Sequence, residues 1–340
     1  MSSTELHETA RAIVADHKGI LAADESTGTM TKRLDSIGVE STPENRRAFR
    51  GLLFSAPGME EYIGGVILYD ETIRQSADDG TPFPELLAAK GVIPGIKVDT
   101  GAHDLAGFPG EKVTEGLDGL RGRLEEYRSL GARFAKWRAV ITIGEGIPTS
   151  ACIEANAHAL ARYAALCQEQ GLVPIVEPEV LMDGDHTIDR CYEVTAQTLH
   201  AVYDQLFRFE VDLRGTLLKP NMVISGKGCP EHASAAEIAE KTIRCFLDHV
   251  PASVPGIVFL SGGQSELEAT ENLNAINRVG GPWTLSFSYG RALQASALAS
   301  WGGDPSNAEA AQAAFVHRAR MNSLAVAGQW SAELEQPVAA

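Results

Sequence analysis

Eight short runs of apolar and β-branched residues recur along the chain, each bounded by polar or glycine-containing segments. Runs of this length are typical of strands that are buried on both faces of a parallel sheet. Their polar ends follow one another at intervals of about 27 to 46 residues, which suits a strand, a helix and the turns between them. The predicted strands are Gly19–Ala23, Gly65–Tyr69, Gly95–Val98, Phe134–Ile141, Val173–Val176, Thr216–Leu218, Ile257–Leu260 and Thr284–Ser288.

Amphipathic helical patterns separate these runs. Leu120, Leu124 and Tyr127 follow the three- and four-residue spacing of one helix face, and Gly131 ends that segment. The segment 188–206 repeats this spacing over a longer stretch. Strands that alternate with helices indicate an α/β protein with a parallel sheet.

Eight strand–helix units without a break in composition favour one closed barrel over an open sheet. Two doubly wound domains are the alternative, but the GxGxxG fingerprint is missing after the first strand. We therefore expect a single (β/α)8 TIM barrel over residues 1–330, with an extra N-terminal helix. We expect residues 331–340 to form a short, mobile C-terminal tail.

Composition limits the possible partners. The chain has 340 residues, of which 44% are hydrophobic, and a formal net charge of -16. A strongly acidic protein is a poor match for nucleic acid or an anionic membrane surface, so we expect neither as a partner. No apolar run approaches the about 18 residues of a membrane helix. The first eight residues contain Glu5 and Glu8 and no apolar stretch, unlike a signal peptide.

The cysteine and histidine residues show no metal or disulfide pattern. An odd number of widely spaced cysteines without a CxxC motif indicates free thiols in a reducing compartment, and hence a cytoplasmic protein. The nine histidines are scattered, and no HxH, HExxH or Cys/His cluster lies at a strand end. We therefore expect neither a metal nor another cofactor. The cysteines are Cys152, Cys167, Cys191, Cys229 and Cys245.

Lys219 directly follows the apolar run 216–218, at the end of a predicted buried strand. Desolvation and nearby positive charge both disfavour an ammonium ion, so a lysine in such a place can be a neutral nucleophile near pH 7. A nucleophilic amine is what a Schiff base with a carbonyl substrate requires. Without a metal, the lysine iminium would act as the electron sink.

Charged residues also occupy alternate positions on three predicted strands, and side chains two positions apart on a strand face the same way. Trp137, which lies between Lys136 and Arg138, faces the opposite way, towards the helices. With Asp24, Asp70 and Lys219 they would gather at the barrel mouth, where active sites of this fold lie. Some of these residues could equally well form buried ion pairs with a purely structural role. Burying so many charges is energetically costly, however, and a structural role would not account for all of them. The alternating residues are Lys97 with Asp99, Lys136 with Arg138, and Glu177 with Glu179.

Two glycine-containing turns predict a phosphate site. SGGQSE (261–266) joins a strand to a capped helix, and YGRAL (289–293) places Gly290 and Arg291 at the start of the next helix. Free amides at a helix N-terminus bind phosphate, and barrels often bind phosphate after strands 7 and 8. Ordinary turns would explain the glycines alone, but Arg291 and the nearby reactive lysine favour phosphate.

The segment DESTGTMTKR (24–33) follows the first strand and combines hydroxyls, a glycine, Lys32 and Arg33. It could hold a second phosphate, although a solvated loop is the simpler interpretation. We expect two phosphate sites on opposite sides of the mouth, and therefore a substrate with an anionic group at each end.

Taken together, these segments resemble those of class I fructose-bisphosphate aldolases, from near the start to about residue 330. The resemblance implies a (β/α)8 barrel that reversibly cleaves fructose 1,6-bisphosphate to dihydroxyacetone phosphate and glyceraldehyde 3-phosphate without a metal, in glycolysis and gluconeogenesis. It also implies a homo-oligomer such as a tetramer. The matching segments are GILAADESTGT, GGVILYDET, GIKVDTG, FAKWRAV, IVEPEVL, LLKPNM, FLSGGQSE and FSYGRAL.

The resemblance also implies roles for individual residues. Lys219 matches the Schiff-base lysine, and Glu177 the acid/base that handles protons during dehydration of the carbinolamine. Asp24 matches the residue that deprotonates the C4 hydroxyl as the C3–C4 bond breaks. Lys136 matches a cation close to the nucleophile, and Glu179 a supporting carboxylate.

Phosphate contacts carry over in the same way. The animal enzymes end in a tyrosine that assists proton exchange on the enamine, whereas the last aromatic residue here is Trp330. Either another group protonates the enamine or that step is slower. The residues matching the 1-phosphate site are Ser261, Gly262, Gly290 and Arg291. Those matching positions near the 6-phosphate are Ser26, Thr29, Lys32, Arg33, Lys97 and Arg138.

Two other functions stay open from sequence. The first is a Schiff-base lyase for another phosphorylated keto sugar, which the paired phosphate sites disfavour. The second is a non-catalytic scaffold, which would be expected to have lost Lys219, Glu177 or Asp24, and all three are present.

Overall fold

The computed structural model describes residues 3–335, and in it eight parallel strands close into a barrel. Around the barrel the order is β1, β2, β3, β6, β7, β8, β9, β10 and back to β1. The predicted (β/α)8 fold is therefore confirmed. In chain order the strands are β1 (Gly19–Ala23), β2 (Ile63–Leu68), β3 (Ile93–Lys97), β4 (Gly101–Asp104), β5 (Lys112–Glu115), β6 (Phe134–Ile141), β7 (Val173–Val180), β8 (Leu217–Leu218), β9 (Gly256–Phe259) and β10 (Thr284–Tyr289).

Two strand features differ from the prediction. β4 and β5 form an antiparallel hairpin after β3, which the apolar pattern missed because the hairpin is largely exposed and polar. β8 has only two residues. Lys219 still donates its amide hydrogen to the Val176 oxygen at 2.8 Å, but Pro220 has no amide hydrogen and so ends the ladder.

Helices cover the outside of the barrel, and several begin at the caps that their sequences specify. The Thr42 hydroxyl accepts from the Asn45 amide at 3.1 Å, and Ser265 and Glu268 form a reciprocal capping box. The helices are α1 (Ser3–Ile13), α2 (Thr27–Asp35), α3 (Pro43–Ser55), α4 (Asp70–Ile73), α5 (Phe83–Ala89), α6 (Leu120–Ser129), α7 (Ser150–Glu169), α8 (Ile188–Arg208), α9 (Ala235–His249), α10 (Glu266–Val279), α11 (Arg291–Trp301) and α12 (Ala308–Val326).

The extra N-terminal helix closes the amino end of the barrel. Its residues Leu6, Ala10 and Ile13 belong to the same buried cluster as Phe134 and other inward-facing strand side chains. The approach is close: a Cβ added to Gly64 on β2 would lie 2.1 Å from the Ile13 oxygen. Apolar packing therefore fills this end of the barrel, and the charged residues lie at the other end.

Side-chain alternation on β6 follows the predicted pattern. Trp137 is fully buried and packs against Tyr163 of α7 in the helix layer, with the two ring centroids 5.6 Å apart. Lys136 and Arg138 consequently face the barrel interior. The same strand therefore places two cationic side chains at the mouth of the barrel and one large aromatic side chain in the core.

All five cysteines are buried and free, and no helix within residues 3–335 is long and apolar enough to cross a membrane. The Trp330 indole donates to Glu335 Oε1 at 2.7 Å. The predicted tail 331–340 extends beyond the described residues, and its mobility stays a prediction.

Candidate active site

A cavity of about 570 Å³ is lined by residues at the carboxyl ends of the barrel strands and in the loops that follow them. In this fold those loops build the active site. Every residue to which the resemblance gives a role lines this cavity, while those chemical roles stay predictions. These residues are Asp24, Ser26, Thr29, Lys32, Arg33, Lys97, Lys136, Arg138, Glu177, Glu179, Lys219, Ser261, Gly262, Gly290 and Arg291.

Two lysines and two carboxylates form a buried chain at the floor of the cavity. Glu177 lies between the lysines, with Oε1 3.1 Å from Lys219 Nζ and Oε2 3.2 Å from Lys136 Nζ. Asp24 Oδ2 is 2.7 Å from the same Lys136 nitrogen. The side chains of Lys219 and Glu177 are only 5% and 4% exposed. Proton exchange between Lys219 and Glu177 is therefore within direct reach and shielded from bulk water.

The strand register produces this alignment. On neighbouring strands Arg138 pairs with Glu177, and Val176 pairs with Leu218. Glu177 and Lys219 each follow directly after the paired residues Val176 and Leu218, so they lie at the same height in the barrel. Hydrogen bonding of adjacent parallel strands thus brings together residues that are more than 40 positions apart in sequence.

Electrostatics keep both carboxylates ionised. Burial alone would raise the pKa of Asp24, but the ammonium groups of Lys136, Lys219 and Lys97 outweigh it and hold that pKa well below its usual range. Burial likewise opposes ionisation of Glu177, yet Lys136 and Lys219 lower its pKa. For Lys136, burial disfavours the charge, but Asp24 and Glu177 raise its pKa above the ordinary value. Glu177 therefore starts as a proton acceptor.

The neighbouring charged pairs on β3, β6 and β7 are ion-paired. Arg138 Nε donates to Glu179, and its backbone amide donates to Asp99 Oδ2 at 3.2 Å. Lys97 Nζ lies 3.6 Å from Asp99 Oδ1. Asp99 does not line the cavity, so the ion-pair interpretation fits it best.

Asp70 does not join the charged cluster at the mouth. It begins the short helix α4, accepts from the Tyr127 hydroxyl at 2.9 Å and pairs with Arg74 at 3.0 Å. Its side chain is half exposed and does not line the cavity. The expectation that it would face the barrel interior is therefore wrong, because the chain turns into α4 at this residue.

The turns after β9 and β10 form one polar wall of the cavity. Ser261 is buried, and Gly262 has φ +56°, a conformation that favours glycine. Arg291 Nη2 donates to the Gly262 oxygen at 3.2 Å, which joins the two turns. Their amides and the guanidinium form a wall suited to an anion.

The placement of Arg33 corrects the expected separation of the two phosphate sites. β1 and β10 are neighbours in the closed barrel, so the loop after β1 borders the loop after β10 and is not opposite to it. Arg33 pairs with Glu25, and a Cβ on Gly290 would lie 3.5 Å from its Nη2. Arg33 therefore lies on the Gly290 side, whereas Lys97 and Arg138 lie on strands across the barrel.

Sequence reasoning missed several cavity residues. Glu25 follows Asp24 directly and could have been found in that segment; it accepts from Gln294 at 2.9 Å as well as pairing with Arg33. Asp183 and Lys227 lie in loops without periodicity, so no sequence pattern indicated them. Within the described residues, no group of three or more histidine, cysteine, aspartate or glutamate side chains is arranged to hold a metal ion.

Comparison with known proteins agrees with this geometry. The family model "Fructose-bisphosphate aldolase class-I" matches residues 5–340. The chain is 60% identical to the "Probable fructose-bisphosphate aldolase class 1" of Xanthomonas campestris pv. campestris, over 97% of this chain and 99% of that protein. It is 54% identical to fructose-bisphosphate aldolase C-A of Danio rerio, over 96% and 91% of the two chains. A solved fructose-bisphosphate aldolase from Plasmodium falciparum, crystallised with TRAP and a small-molecule inhibitor, superimposes with a TM-score of 0.95. Its identity is 49%, over 96% of this chain and 95% of that one.

Proposed function

We propose how the residues of this chain, which belongs to the class I fructose-bisphosphate aldolase family, perform the family's reaction. That reaction is the reversible cleavage of fructose 1,6-bisphosphate. The observation that carries the proposal is the contact between Lys219 Nζ and Glu177 Oε1 at 3.1 Å in a buried setting. An amine and a carboxylate at this distance can exchange the protons that imine formation requires.

The first steps use this pair. Glu177 accepts a proton from the Lys219 ammonium, and the free amine attacks the C2 carbonyl of the substrate to give a carbinolamine. Protonated Glu177 then donates to the carbinolamine hydroxyl, which leaves as water while the iminium forms. The carboxylate is thereby regenerated, so one residue serves as base and then as acid.

Carbon–carbon cleavage follows at Asp24. Its carboxylate accepts the proton of the C4 hydroxyl, the C3–C4 bond breaks, and the electron pair moves into the iminium to give an enamine. Glyceraldehyde 3-phosphate leaves. C3 then takes up a proton, which balances the proton that Asp24 loses as its carboxylate is regenerated, and hydrolysis of the imine releases dihydroxyacetone phosphate. Lys136 holds Asp24 at 2.7 Å and keeps it ionised for this step.

The two phosphates of the substrate would bind on opposite walls. We assign the 1-phosphate to the turns after β9 and β10, with Ser261, Gly262, Gly290 and Arg291, and we add Arg33 to this side. The 6-phosphate would lie towards Lys97 and Arg138, on strands that face β9 and β10 across the barrel. Ser26, Thr29 and Lys32 complete the rim on the α2 side.

Replacing Glu177 with glutamine should slow imine formation far more than it weakens substrate binding. Loss of the acid/base should lower kcat by about 10²–10³-fold, while KM changes by less than about threefold. The measurement is the rate of borohydride-trappable imine together with KM. Glu193→Gln on the exposed face of α8 is the matched control, with wild-type rates expected. Equal losses in imine formation and in binding would indicate a structural role instead.

Replacing Arg138 with alanine should weaken binding of the 6-phosphate without affecting binding of the 1-phosphate. KM for fructose 1,6-bisphosphate should rise by about 30- to 100-fold, because a charge-assisted contact to the 6-phosphate is lost. KM for fructose 1-phosphate, which lacks that group, should change by less than about threefold. The variant also leaves Glu179 without its ion-pair partner. Any effect of that change on the whole site would raise KM for fructose 1-phosphate as well, so this substrate is the control. Equal increases for both substrates would contradict the assignment. A wild-type enzyme that prefers fructose 1-phosphate would favour the other keto-sugar lyase function.

We also propose that the protein acts in the cytoplasm, in both glycolysis and gluconeogenesis, as a homo-oligomer such as a tetramer built from one barrel domain per chain. Buried free thiols support the location. Phe207 and Leu247 are 81% and 58% exposed, and a subunit contact would cover such side chains. Light scattering after gel filtration would measure the assembly, and a monomeric mass would contradict it.

A further inference from the structure

A lysine that the catalytic scheme does not use lies beside the turn after β9. The loop 225–229, which follows β8, is hydrogen-bonded to the loop 182–186, which follows β7. Lys227 donates its amide hydrogen to the Met182 oxygen at 2.8 Å, and the amides of Gly226 and Gly228 donate to His186 and Gly184 at 2.8 and 2.7 Å. Three such bonds fix the backbone at Lys227.

Glycines make this close approach of the two loops possible. A Cβ on Gly226 would lie 2.6 Å from the Gly184 oxygen, and one on Gly228 would lie 3.2 Å from it. Any larger residue at 226 would push the loops apart. The close contact between the two loops therefore fixes the position of the Lys227 Cα.

The Lys227 side chain crosses the turn after β9. A Cβ built on Gly263 would lie 1.9 Å from Lys227 Cε and 2.2 Å from its Nζ, so the side chain occupies the space that only a glycine leaves open. Lys227 also lines the cavity together with Ser261, Gly262 and Arg291. The ammonium group therefore reaches the wall to which we assign the 1-phosphate.

The present partner of Lys227 is one that a phosphate could displace. Its Nζ lies 3.0 Å from Asp183 Oδ1, and the two side chains are 46% and 66% exposed. An exposed pair of this kind contributes little to stability, because water screens both charges. Asp183 lines the same cavity, where a carboxylate would repel an anion.

Charge balance on this wall calls for a further cation. A phosphate monoester carries a charge of about -1.5 to -2 at pH 7. Arg33 is already paired with Glu25, while Arg291 has no carboxylate partner within residues 3–335. One free guanidinium leaves the phosphate partly uncompensated. A second cation that can leave a weak partner would complete the balance.

We propose that Lys227 is a further substrate-binding residue that exchanges Asp183 for the 1-phosphate of the substrate, and that Asp183 tunes affinity by competing with it. The inference rests on the proposed function, since it adds one cation to the 1-phosphate wall.

The test compares KM for fructose 1-phosphate, whose only phosphate is the one in question. Lys227→Met should raise this KM, and that for fructose 1,6-bisphosphate, by about five- to tenfold, with a much smaller change in kcat. Lys227→Arg should restore most of the affinity. Asp183→Asn should lower KM by about two- to threefold by freeing Lys227, and this gain should vanish in the Lys227→Met background. The control is Lys241→Met, which breaks a lysine–aspartate pair with Asp189 on α9 and α8 and should leave KM unchanged.

The outcomes separate this inference from the proposed function. An unchanged KM in Lys227→Met, or a rise for the bisphosphate alone, would overturn the inference while wild-type cleavage still supports the function. Failure of the wild-type protein to cleave either substrate would overturn the function itself. If Lys227→Met does not fold, Asp183→Asn decides alone. A lower KM supports the competition, and an equal or higher KM contradicts it.

Discussion

Replacing Lys219 with methionine should abolish turnover, with a fall in kcat of at least about 10⁵-fold, while the barrel stays folded. Methionine has nearly the length of lysine but no amine, so no imine can form at this position. Lys136 stays 3.2 Å from Glu177, so the carboxylate keeps one of its two cations. The free energy of unfolding should therefore fall by less than about 3 kcal/mol.

The measurement is steady-state cleavage of fructose 1,6-bisphosphate together with a thermal unfolding curve. Lys241→Met serves as the control for introducing a methionine, because that lysine lies on the outer surface of α9. A Lys219→Met protein that keeps most of its activity would remove Lys219 from the mechanism. A protein that is inactive because it is unfolded would be recognised from its unfolding curve.

Replacing Lys136 with methionine should lower both activity and stability. The variant leaves Asp24 without the ammonium at 2.7 Å and leaves Glu177 with Lys219 alone. Breaking a buried ion pair from one side costs about 3–5 kcal/mol. The pKa of Asp24 should rise towards its ordinary range, because burial favours the neutral acid once the cation is gone. Cleavage should slow by about 10³-fold, because Asp24 loses the ammonium group that holds it in place for proton transfer.

The stability loss should depend on pH in a defined direction. In the wild type, the pKa of Asp24 is lowered on folding, so its contribution to stability is present above the unfolded value near 3.8 and is lost as the pH falls below it. The pKa of Lys136 is raised, so its contribution is present below its unfolded value near 10.5 and is lost at higher pH. The difference between wild type and Lys136→Met should be largest between about pH 5 and 10.

Urea unfolding at pH 7 and at pH 3 measures this difference. We expect the stability gap to narrow clearly at pH 3, below the ordinary value of 3.8, where Asp24 of the unfolded wild type is mostly protonated. A gap of equal size at both pH values would mean that Lys136 stabilises the fold through packing rather than through its charge. Lys112→Met, which breaks an exposed pair with Asp104 in the β4–β5 hairpin, should give a small loss at pH 7 and controls for the substitution.

Much of the fold could be predicted from the sequence, because buried parallel strands are continuous apolar runs and leave a direct signature. The same alternation that places Trp137 in the helix layer places Lys136 and Arg138 in the cavity. Lys219 was apparent because a lysine directly after a buried strand is unusual. These signals all come from regular periodicity.

The remaining features depend on contacts between loops, which have no period. The β4–β5 hairpin is polar, and the pairing of Lys227 with Asp183 joins two loops that are 44 residues apart. The position of Arg33 beside Gly290 was not expected, because linear order hides the closure of the barrel, which makes the first and last strands neighbours. The contact between Lys219 and Glu177 likewise depends on register, which sequence order alone does not give.

The central claim is that Lys219 forms the imine, and borohydride trapping tests it most directly. The protein would be incubated with dihydroxyacetone phosphate and borohydride, in parallel samples with and without EDTA, and its peptides mapped by mass spectrometry. We predict one reduced adduct, on the peptide that contains Lys219, together with loss of activity. An adduct on another lysine, or cleavage activity that persists without any adduct and falls with EDTA, would contradict the account. A folded protein with neither adduct nor activity would point to a scaffold instead.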